Sequence, residues 1–169
     1  MEVVVTTSRK PSQRTRSFVK DLARVLGGKT LTRGKTPLRE ILANYPKVII
    51  VEEYRGNPGK LKFYDVEKNK LILLFISVKL QREVCGRNVE NREGKIKMEF
   101  YGDTVNYKDL FYDFFRDFNI LSEDSSFRMC FEDNPRDEEP LFYIQFYRGN
   151  RKIGPLIAVK DLRVLEISS

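Results

Sequence analysis

Apolar positions repeat at helical spacing through the first thirty residues of the chain. Between Phe18 and Leu26 they recur every three or four residues, which places them on one face of a helix. Ser12 precedes this run and is a good N-cap, because its side-chain oxygen can accept from an amide of the first turn. Gly27 and Gly28 follow the run and favour the left-handed conformation that ends helices. The pattern predicts a helix over residues 12–26.

Apolar runs of five to eight residues, rich in Val, Ile and Leu, predict strands around this helix. Breaker residues separate the runs. The elements predicted in the first half are a strand at 2–7, the helix at 12–26, a short strand at 29–33, a second helix opened by Thr36-Pro37 with Leu38, Ile41 and Leu42 inward and stopped by Tyr45-Pro46, a central strand at 47–54, a turn at 55–59, and a hairpin of strands at 61–66 and 71–78.

The second half repeats this alternation after a polar stretch without clear periodicity, residues 81–94, which we interpret as a connector. The predicted elements are a strand at 95–101, a helix capped by Thr104 or Asn106 and running to Phe118, a strand at 127–131, a loop at 134–140, and strands at 141–147, 154–159 and 162–167.

The two halves are similar to one another at a fixed offset. Tyr54-Arg55-Gly56-Asn57 recurs as Tyr147-Arg148-Gly149-Asn150, a shift of 93 positions that also brings four predicted elements into correspondence. The second copy lacks the second helix. We therefore predict one domain over 1–169 with an α/β fold of the α+β type. It consists of two pseudo-symmetric halves, 1–80 and 95–169, each a mixed β-sheet with packed helices.

Positive charge is concentrated at the start of the chain. The first 40 residues contain ten basic and three acidic residues, so their net charge of +7 equals that of all 169 residues. Such a one-sided excess favours a polyanion as partner. On the helical wheel Arg16, Lys20 and Arg24 lie opposite the apolar face, and Arg14 lies at its border. The candidate nucleic-acid-binding residues are the cations and hydroxyls of this region: Thr7, Ser8, Arg9, Lys10, Ser12, Arg14, Arg16, Lys20, Arg24, Lys29, Arg33 and Lys35.

Two further features qualify this site. The amides at the N-terminus of the helix are a second place where phosphate can bind. Residues 107–139 contain ten acids and four bases, so a nucleic acid is expected mainly on the first half. These acids either keep an aromatic-rich half soluble, meet a basic protein, or shield the nucleic-acid site. Tyr54 and Tyr147 are candidates for base stacking, although packing within the protein is the favoured role for each.

Several classes of function lack their chemical groups. The chain has no histidine, and Cys85 and Cys130 fit no metal-ligand spacing, so we predict no metal and no cofactor. Adjacent Glu52 and Glu53 lie on opposite faces of a strand, and no glycine-rich loop ends in Gly-Lys-Ser/Thr. No enzymatic activity is therefore predicted. With no apolar run of membrane-spanning length and no signal-peptide pattern, we expect a cytoplasmic protein without membrane contact. The duplication makes one chain a pseudo-dimer, so we expect a monomer.

The opening residues carry a resemblance to a known family. Thr7-Ser8-Arg9-Lys10-Pro11-Ser12, Arg14-Thr15-Arg16, Phe18 and Lys20-Asp21-Leu22 resemble the opening signature of the Brix domain. The resemblance implies two related α/β halves, each similar to the anticodon-binding domain of class IIa aminoacyl-tRNA synthetases. It also implies a non-enzymatic role in ribosome assembly, with precursor ribosomal RNA and other assembly proteins as partners.

Two other functions stay open at this point. The similarity of each half to anticodon-binding domains is also compatible with a transfer-RNA accessory module. The basic helix is compatible with a protein adaptor that docks on an acidic partner.

Overall fold

The structure, a computed structural model, describes residues 1–168. Across these residues nine strands form one mixed sheet that is flanked by four α-helices. The elements in chain order are β1 (Val4–Thr7), α1 (Gln13–Val25), β2 (Lys29–Thr30), α2 (Leu38–Asn44), β3 (Lys47–Tyr54), β4 (Asn57–Asp65), β5 (Lys70–Lys79), α3 (Gln81–Cys85), β6 (Lys97–Phe100), α4 (Lys108–Phe115), β7 (Phe127–Asp133), β8 (Phe142–Arg148) and β9 (Arg151–Glu166). Turns of 3-10 helix, Gly102–Tyr107 and Arg116–Phe118, flank α4.

The strand order is β2-β1-β3-β4-β5-β9-β8-β7-β6. In the first half β1 is parallel to β2 and β3, and β3, β4 and β5 are antiparallel neighbours. In the second half β6 is parallel to β7, and β7, β8 and β9 are antiparallel neighbours. The antiparallel pairing of β5 with β9 connects the halves, so the chain has one sheet where two were predicted.

This connection depends on β9, which the sequence divides into two strands at 154–159 and 162–167. The structure has one strand of 16 residues instead. The partner of Phe75 is Asp161 and the partner of Ile76 is Val159, so Lys160 is an extra residue in β9. This β-bulge accommodates the polar Lys160-Asp161 pair without ending the ladder.

Side chains of the central strands alternate between two apolar clusters, as the two-residue period of a strand requires. Ile49 and Val51 of β3 face the larger cluster, which contains the buried faces of α1 and α4. Val48 and Ile50 face a smaller cluster with Ile41 of α2. Helices α1 and α4 therefore cover one face of the sheet, and α2 covers part of the other face.

The predicted ends of the first helix are confirmed. The Ser12 side chain accepts a hydrogen bond from the Thr15 amide, and Gly27 has a φ of +64° directly after the helix. A Cβ on Gly28 would lie 2.4 Å from the Val3 carbonyl oxygen, so only glycine allows this close approach to the sheet.

The second long helix begins later than predicted. Neither Thr104 nor Asn106 caps α4, which starts after a 3-10 turn and has Tyr107 at its N-cap position. The Thr104 hydroxyl instead donates to the carbonyls of Tyr101 and Phe131, at 2.6 and 3.0 Å, because it lies buried beside β7.

The predicted aromatic face of α4 is confirmed as core. Four phenylalanines of α4 and the 3-10 turn after it are buried: Phe111, Phe114, Phe115 and Phe118. The ring of Phe63 in β4 meets three of these rings edge to face. This cluster attaches α4 to the strands of the first half.

Two smaller predictions were wrong, and one helix was not predicted. The turn after β3 consists of Arg55 and Gly56 alone, with φ of 52° and 79°, because a two-residue hairpin of this twist needs positive φ at both positions. Leu38 lies exposed at the start of α2. The connector 81–94 contains the helix α3, whose first turn is closed by the Glu83 side chain on the Leu80 amide at 2.8 Å.

The constant offset of 93 does not match the strands by their place in the sheet. It maps β3 onto β8, but β3 is parallel to β1, whereas β8 is antiparallel to both of its neighbours and the strand parallel to β6 is β7. The repeated Tyr-Arg-Gly-Asn therefore occupies the β3–β4 turn in one half and the β8–β9 turn in the other. The four-residue match is therefore explained by two hairpin turns of the same sequence, which do not occupy equivalent places in the two halves.

Candidate nucleic-acid interface

Two loops meet at the carboxyl end of β1 and bring five of the predicted residues together: Thr7, Ser8, Arg9, Arg33 and Lys35. The Arg9 guanidinium donates to the Lys35 carbonyl at 3.2 Å. Arg33 donates to the carbonyls of Thr7 and Thr36, at 3.0 and 2.7 Å. Partial burial and the neighbouring charge of Arg9 lower the pKa of Arg33. Thr7 is only 6% exposed, so its hydroxyl does not belong to the surface, contrary to prediction.

The outer side of α1 continues this basic region. Arg16 and Lys20 are exposed one helical turn apart, and Arg9 and Lys10 are exposed in the preceding loop. Within residues 1–168 none of these four cations forms an ion pair with a carboxylate. Lys10 has a φ of 53°, a conformation that turns the chain sharply before the helix. We define Arg9, Lys10, Arg16 and Lys20 as the open basic surface.

Two predicted arginines of α1 are engaged by acids of the protein. Both nitrogens at the end of Arg14 bind the Glu83 carboxylate, at 2.9 and 3.0 Å. Arg24 pairs with Asp21, a carboxylate that is 2% exposed and also accepts the Gln81 amide hydrogen at 2.8 Å. Burial raises the pKa of Asp21 against the opposing effect of these hydrogen bonds. The outward direction predicted for Arg24 was therefore wrong, since it turns towards Asp21 and Gln81.

The N-terminus of α1 already holds a carboxylate of the protein. Glu53 accepts the Ser12 amide hydrogen at 2.7 Å and the Thr15 hydroxyl hydrogen at 2.6 Å. These hydrogen bonds from Ser12 and Thr15 lower the pKa of Glu53. The Ser12 hydroxyl donates to the Gly56 carbonyl at 2.9 Å, so Ser12 acts as a cap and a tether. An external phosphate at this helix end would have to displace Glu53.

Glu52 and Glu53 lie on opposite sides of β3, as predicted. Glu52 pairs with Lys62, and Lys60 lies 4.0 Å away. The two carboxylates therefore bind different partners and share no site. At the other end of α1, Lys29 is exposed and its ammonium lies 3.8 Å from the Glu2 carboxylate.

The acidic stretch of the second half is partly used inside the protein. Asp113 of α4 binds Lys68 at 2.5 Å and Arg116, with Lys70 at 3.7 Å. These contacts, Lys68 first, lower the pKa of Asp113. Part of this acidic face thus stabilises the contact between the halves, a role that the sequence did not distinguish from solubility or partner binding.

The two candidate stacking tyrosines differ in exposure. Tyr147 is half-buried, its hydroxyl donates to Glu132 at 3.0 Å, and the Arg128 guanidinium lies 4.9 Å from its ring centre. Its predicted packing role is confirmed.

Tyr54 is 64% exposed, so packing was the wrong role for it. Beside it lie Arg55 and Lys160, which the sequence reading missed; only the turn sequence after Tyr54 marked this place.

The described residues contain neither a candidate metal site nor a candidate membrane-spanning helix. Within residues 1–168 no cluster of three His, Cys, Asp or Glu side chains is arranged to hold a metal ion. In the same range no helix is long and apolar enough to cross a membrane.

Comparison with known proteins places the chain. No protein-family model matches it. A protein of Methanococcus maripaludis, named a probable Brix domain-containing ribosomal biogenesis protein, is 42% identical over 167 residues, which is 98% of this chain and 99% of the relative. The chain belongs to the Brix domain family. A Brix protein of the same name from Methanosarcina barkeri is 49% identical over 65 residues, 37% of this chain and 41% of that relative.

Two crystal structures share the fold of this chain. An archaeal Imp4-like protein is 26% identical with a TM-score of 0.65, covering 96% of this chain and 100% of that one. A probable ribosomal biogenesis protein from Aeropyrum pernix is 28% identical with a TM-score of 0.73, covering 95% and 96%. The family predicted from residues 7–22 is thus confirmed, together with a mixed α+β fold.

Proposed function

We propose that this Brix protein is a ribosome biogenesis factor that binds precursor ribosomal RNA and positions it during processing and subunit assembly. The open basic surface of Arg9, Lys10, Arg16 and Lys20 is the main contact. Lys29, Arg33 and Lys35 extend it. The protein acts without catalysis, as a cytoplasmic monomer, and other ribosome-assembly proteins are its further partners.

The observation that carries this proposal is the contrast between paired and unpaired cations on α1. Arg14 and Arg24 are bound by Glu83 and Asp21, whereas Arg16 and Lys20 are exposed and have no carboxylate partner among residues 1–168. Clustered unpaired cations attract phosphates and release counterions when they bind, which supplies most of the affinity for nucleic acid. The names of the relatives identify ribosome biogenesis as the process.

The proposed mechanism is positioning. Guanidinium groups at Arg9 and Arg16 can each bind two phosphate oxygens, while Lys10 and Lys20 contribute point charges. Because α1 is fixed to the sheet by its buried face, the phosphates it holds are fixed relative to the rest of the domain. Phosphate contacts set the register of the RNA and leave its bases available to other factors.

The test compares two double charge reversals of equal size. Arg16→Glu/Lys20→Glu removes two cations of the open basic surface. Lys108→Glu/Arg136→Glu makes the same change on exposed residues of the acidic second half. Binding to a fragment of precursor ribosomal RNA is measured over a range of salt concentrations.

We expect the first variant to lose at least tenfold in affinity, and the slope of log affinity against log salt to fall by about two. The control should change neither the affinity by more than about twofold nor the slope. Equal losses of affinity in both variants would refute the proposal that the open basic surface binds the RNA.

Crosslinking in cells that recovers transfer RNA instead of ribosomal RNA would favour the transfer-RNA accessory module. Purification with a stoichiometric protein and without RNA would favour the protein adaptor.

A further inference from the structure

A cleft opens where β4 and β5 separate. The two strands pair from Lys60 opposite Phe75 to Asp65 opposite Lys70, but residues 57–59 of β4 have no pairing with residues 76–78 of β5. Between the separated ends lies a space of about 280 Å³. The Arg14 guanidinium donates to the Val78 carbonyl at 3.1 Å and so satisfies a group that the ladder leaves open. This contact attaches one wall of the cleft to α1.

The lining of this cleft is aromatic and basic. Its polar side chains belong to Arg14, Tyr54, Arg55, Asn57, Ser77 and Lys160, and no carboxylate is among the described residues that line it. Arg14 is bound by Glu83. Across residues 1–168, Arg55 and Lys160 have no ion pair. Two uncompensated cations thus flank the cleft, although acids are frequent elsewhere on the surface.

Tyr54 lines this cleft, and its Cβ packs closely on Gly59. It is the last residue of β3, and the Arg55 guanidinium lies 5.1 Å from the ring centre. A Cβ on Gly59 would lie 2.6 Å from the Tyr54 Cβ, so a side chain there would displace the tyrosine. An exposed tyrosine beside cations is the arrangement on which unpaired bases stack, because every base has an aromatic face and a neighbouring phosphate.

We propose that this cleft binds one unpaired nucleotide of RNA, with its base stacked on Tyr54 and its phosphates held by Arg55 and Lys160. The inference rests on the proposed function and adds a preference for single strands. A base in a duplex is stacked on its neighbours and cannot reach the ring, whereas the open basic surface binds the phosphates of either form.

A second groove shares two lining residues with the cleft and offers flanking nucleotides a route. Ser77 and Val78 line both spaces. The second groove, of about 490 Å³, contains Lys79, Lys152 and Tyr143 together with one carboxylate, Glu132. Glu132 accepts the Tyr147 hydroxyl hydrogen. A single strand can therefore extend from the cleft along the end of β5.

The first test separates stacking from charge. Tyr54→Ala and Tyr54→Phe are compared with the wild type on a short single-stranded RNA that contains 2-aminopurine, and on a duplex of the same sequence. Because Tyr54 is exposed, both variants should fold, which circular dichroism verifies. We expect Tyr54→Ala to lose about tenfold in single-strand affinity, with the salt slope and duplex binding unchanged, and to lose the fluorescence quenching that stacking produces. Tyr54→Phe should keep both the affinity and the quenching.

The second test concerns the phosphates. Lys160→Ala should lower the salt slope for single strands by about one, whereas Lys108→Ala on the second half should leave it unchanged. One outcome is that the wild type binds RNA through Arg16 and Lys20 while Tyr54→Ala keeps the wild-type affinity and fluorescence quenching. That result would refute nucleotide binding in the cleft and leave the proposed function intact. If the wild type binds neither RNA, both are refuted.

Discussion

Arg14 in α1 and Glu83 in α3 form a two-pronged ion pair, with nitrogen–oxygen distances of 2.9 and 3.0 Å. Glu83 also accepts the Leu80 amide hydrogen, and Arg14 also binds the Val78 carbonyl. Hydrogen bonds from Arg14 and then Leu80 lower the pKa of Glu83. The pair therefore fixes the start of the connector to the basic helix.

We predict that Arg14 and Arg16 have opposite roles although they are two residues apart. Arg14→Ala should lower the free energy of unfolding by about 1 kcal/mol, because a bidentate pair with further hydrogen bonds is stronger than a simple surface pair. Arg16→Ala should change it by less than about 0.5 kcal/mol. Urea unfolding measures both.

RNA binding should show the reverse order. Arg16→Ala lowers the salt slope, and Arg14→Ala does not, since its charge is compensated by Glu83. A stability loss at Arg16 as large as at Arg14, or a reduced slope at Arg14, would contradict the distinction between paired and open cations.

Glu53 is predicted to make stability depend on pH. Its carboxylate accepts hydrogen bonds from Ser12 and from buried Thr15, and these lower the pKa of Glu53 in the folded protein. A depressed pKa contributes stability above the unfolded value of about 4.3, and this contribution is lost as the pH falls through the folded value.

Glu53→Gln should therefore cost about 1–2 kcal/mol at neutral pH and less at pH values below the folded pKa, where the wild-type carboxyl is protonated too. Unfolding experiments along a pH series would show the two curves converge on acidification. Glu67→Gln, on an exposed turn residue, is the matched control. Curves that stay parallel throughout would contradict the prediction that the hydrogen bonds from Ser12 and Thr15 stabilise the ionised Glu53 carboxylate in the folded protein.

Local patterns were sufficient for elements whose signals lie within a few residues. Ser12, the apolar face up to Leu26 and Gly27 describe α1 completely, and the run from Lys47 to Tyr54 coincides with β3. Each of these signals acts on its own neighbours, so no knowledge of the tertiary structure is needed.

Elements that depend on distant partners were not accessible in this way. The continuity of β9 past Lys160 follows from its ladder with β5, some ninety positions earlier. Helix α3 has only five residues, and its Glu83 cap is held by Arg14, 69 positions away. Local propensity does not contain such contacts.

The candidate site shows the same limit. Composition located the basic region correctly in the first 40 residues, but it could not tell which cations have acidic partners. Arg24 pairs with Asp21, three residues earlier on the same helix. That pairing depends on the spacing of the two residues and on the direction of the Arg24 side chain, which composition does not contain. For Tyr54 and Tyr147 the local sequence is identical over four residues, and only the surrounding sheet makes one exposed and the other half-buried.

The two thiols should differ in reactivity. Cys130 is buried in β7, and burial raises its pKa to about 12. Cys85 is half-buried at the end of α3, with its sulfur 3.3 Å from the Arg87 carbonyl oxygen. A thiol reagent at pH 8 should therefore modify one cysteine of the native protein and the second only on unfolding.

Cys85→Ser should abolish the native reaction and Cys130→Ser should leave it unchanged. In denaturant each single variant should show one reactive thiol, which confirms that the reagent detects both cysteines. Two thiols that react at equal rates in the native protein would show that β7 is more accessible than its burial indicates.

Lys47 is predicted to be the most important charged residue for stability. It is 3% exposed, and its ammonium donates to the carbonyls of Asp113 and Phe114 at the end of α4, at 3.2 and 2.5 Å. The carboxylates of Asp117 and buried Asp65 lie 3.1 and 3.6 Å away. Cations at a helix C-terminus are favourable, and here the cation comes from the other half of the molecule.

Lys47→Met keeps much of the side-chain volume but leaves Asp65 without its cation, so we expect a loss of about 3–5 kcal/mol in urea unfolding. Lys68→Met removes an exposed partner of Asp113 and should cost less than about 1 kcal/mol. Lys47→Met/Asp65→Asn should recover part of the loss, since no unpaired charge then stays buried. Equal small losses in the two lysine variants would mean that Lys47 does not attach α4 to the sheet of the first half.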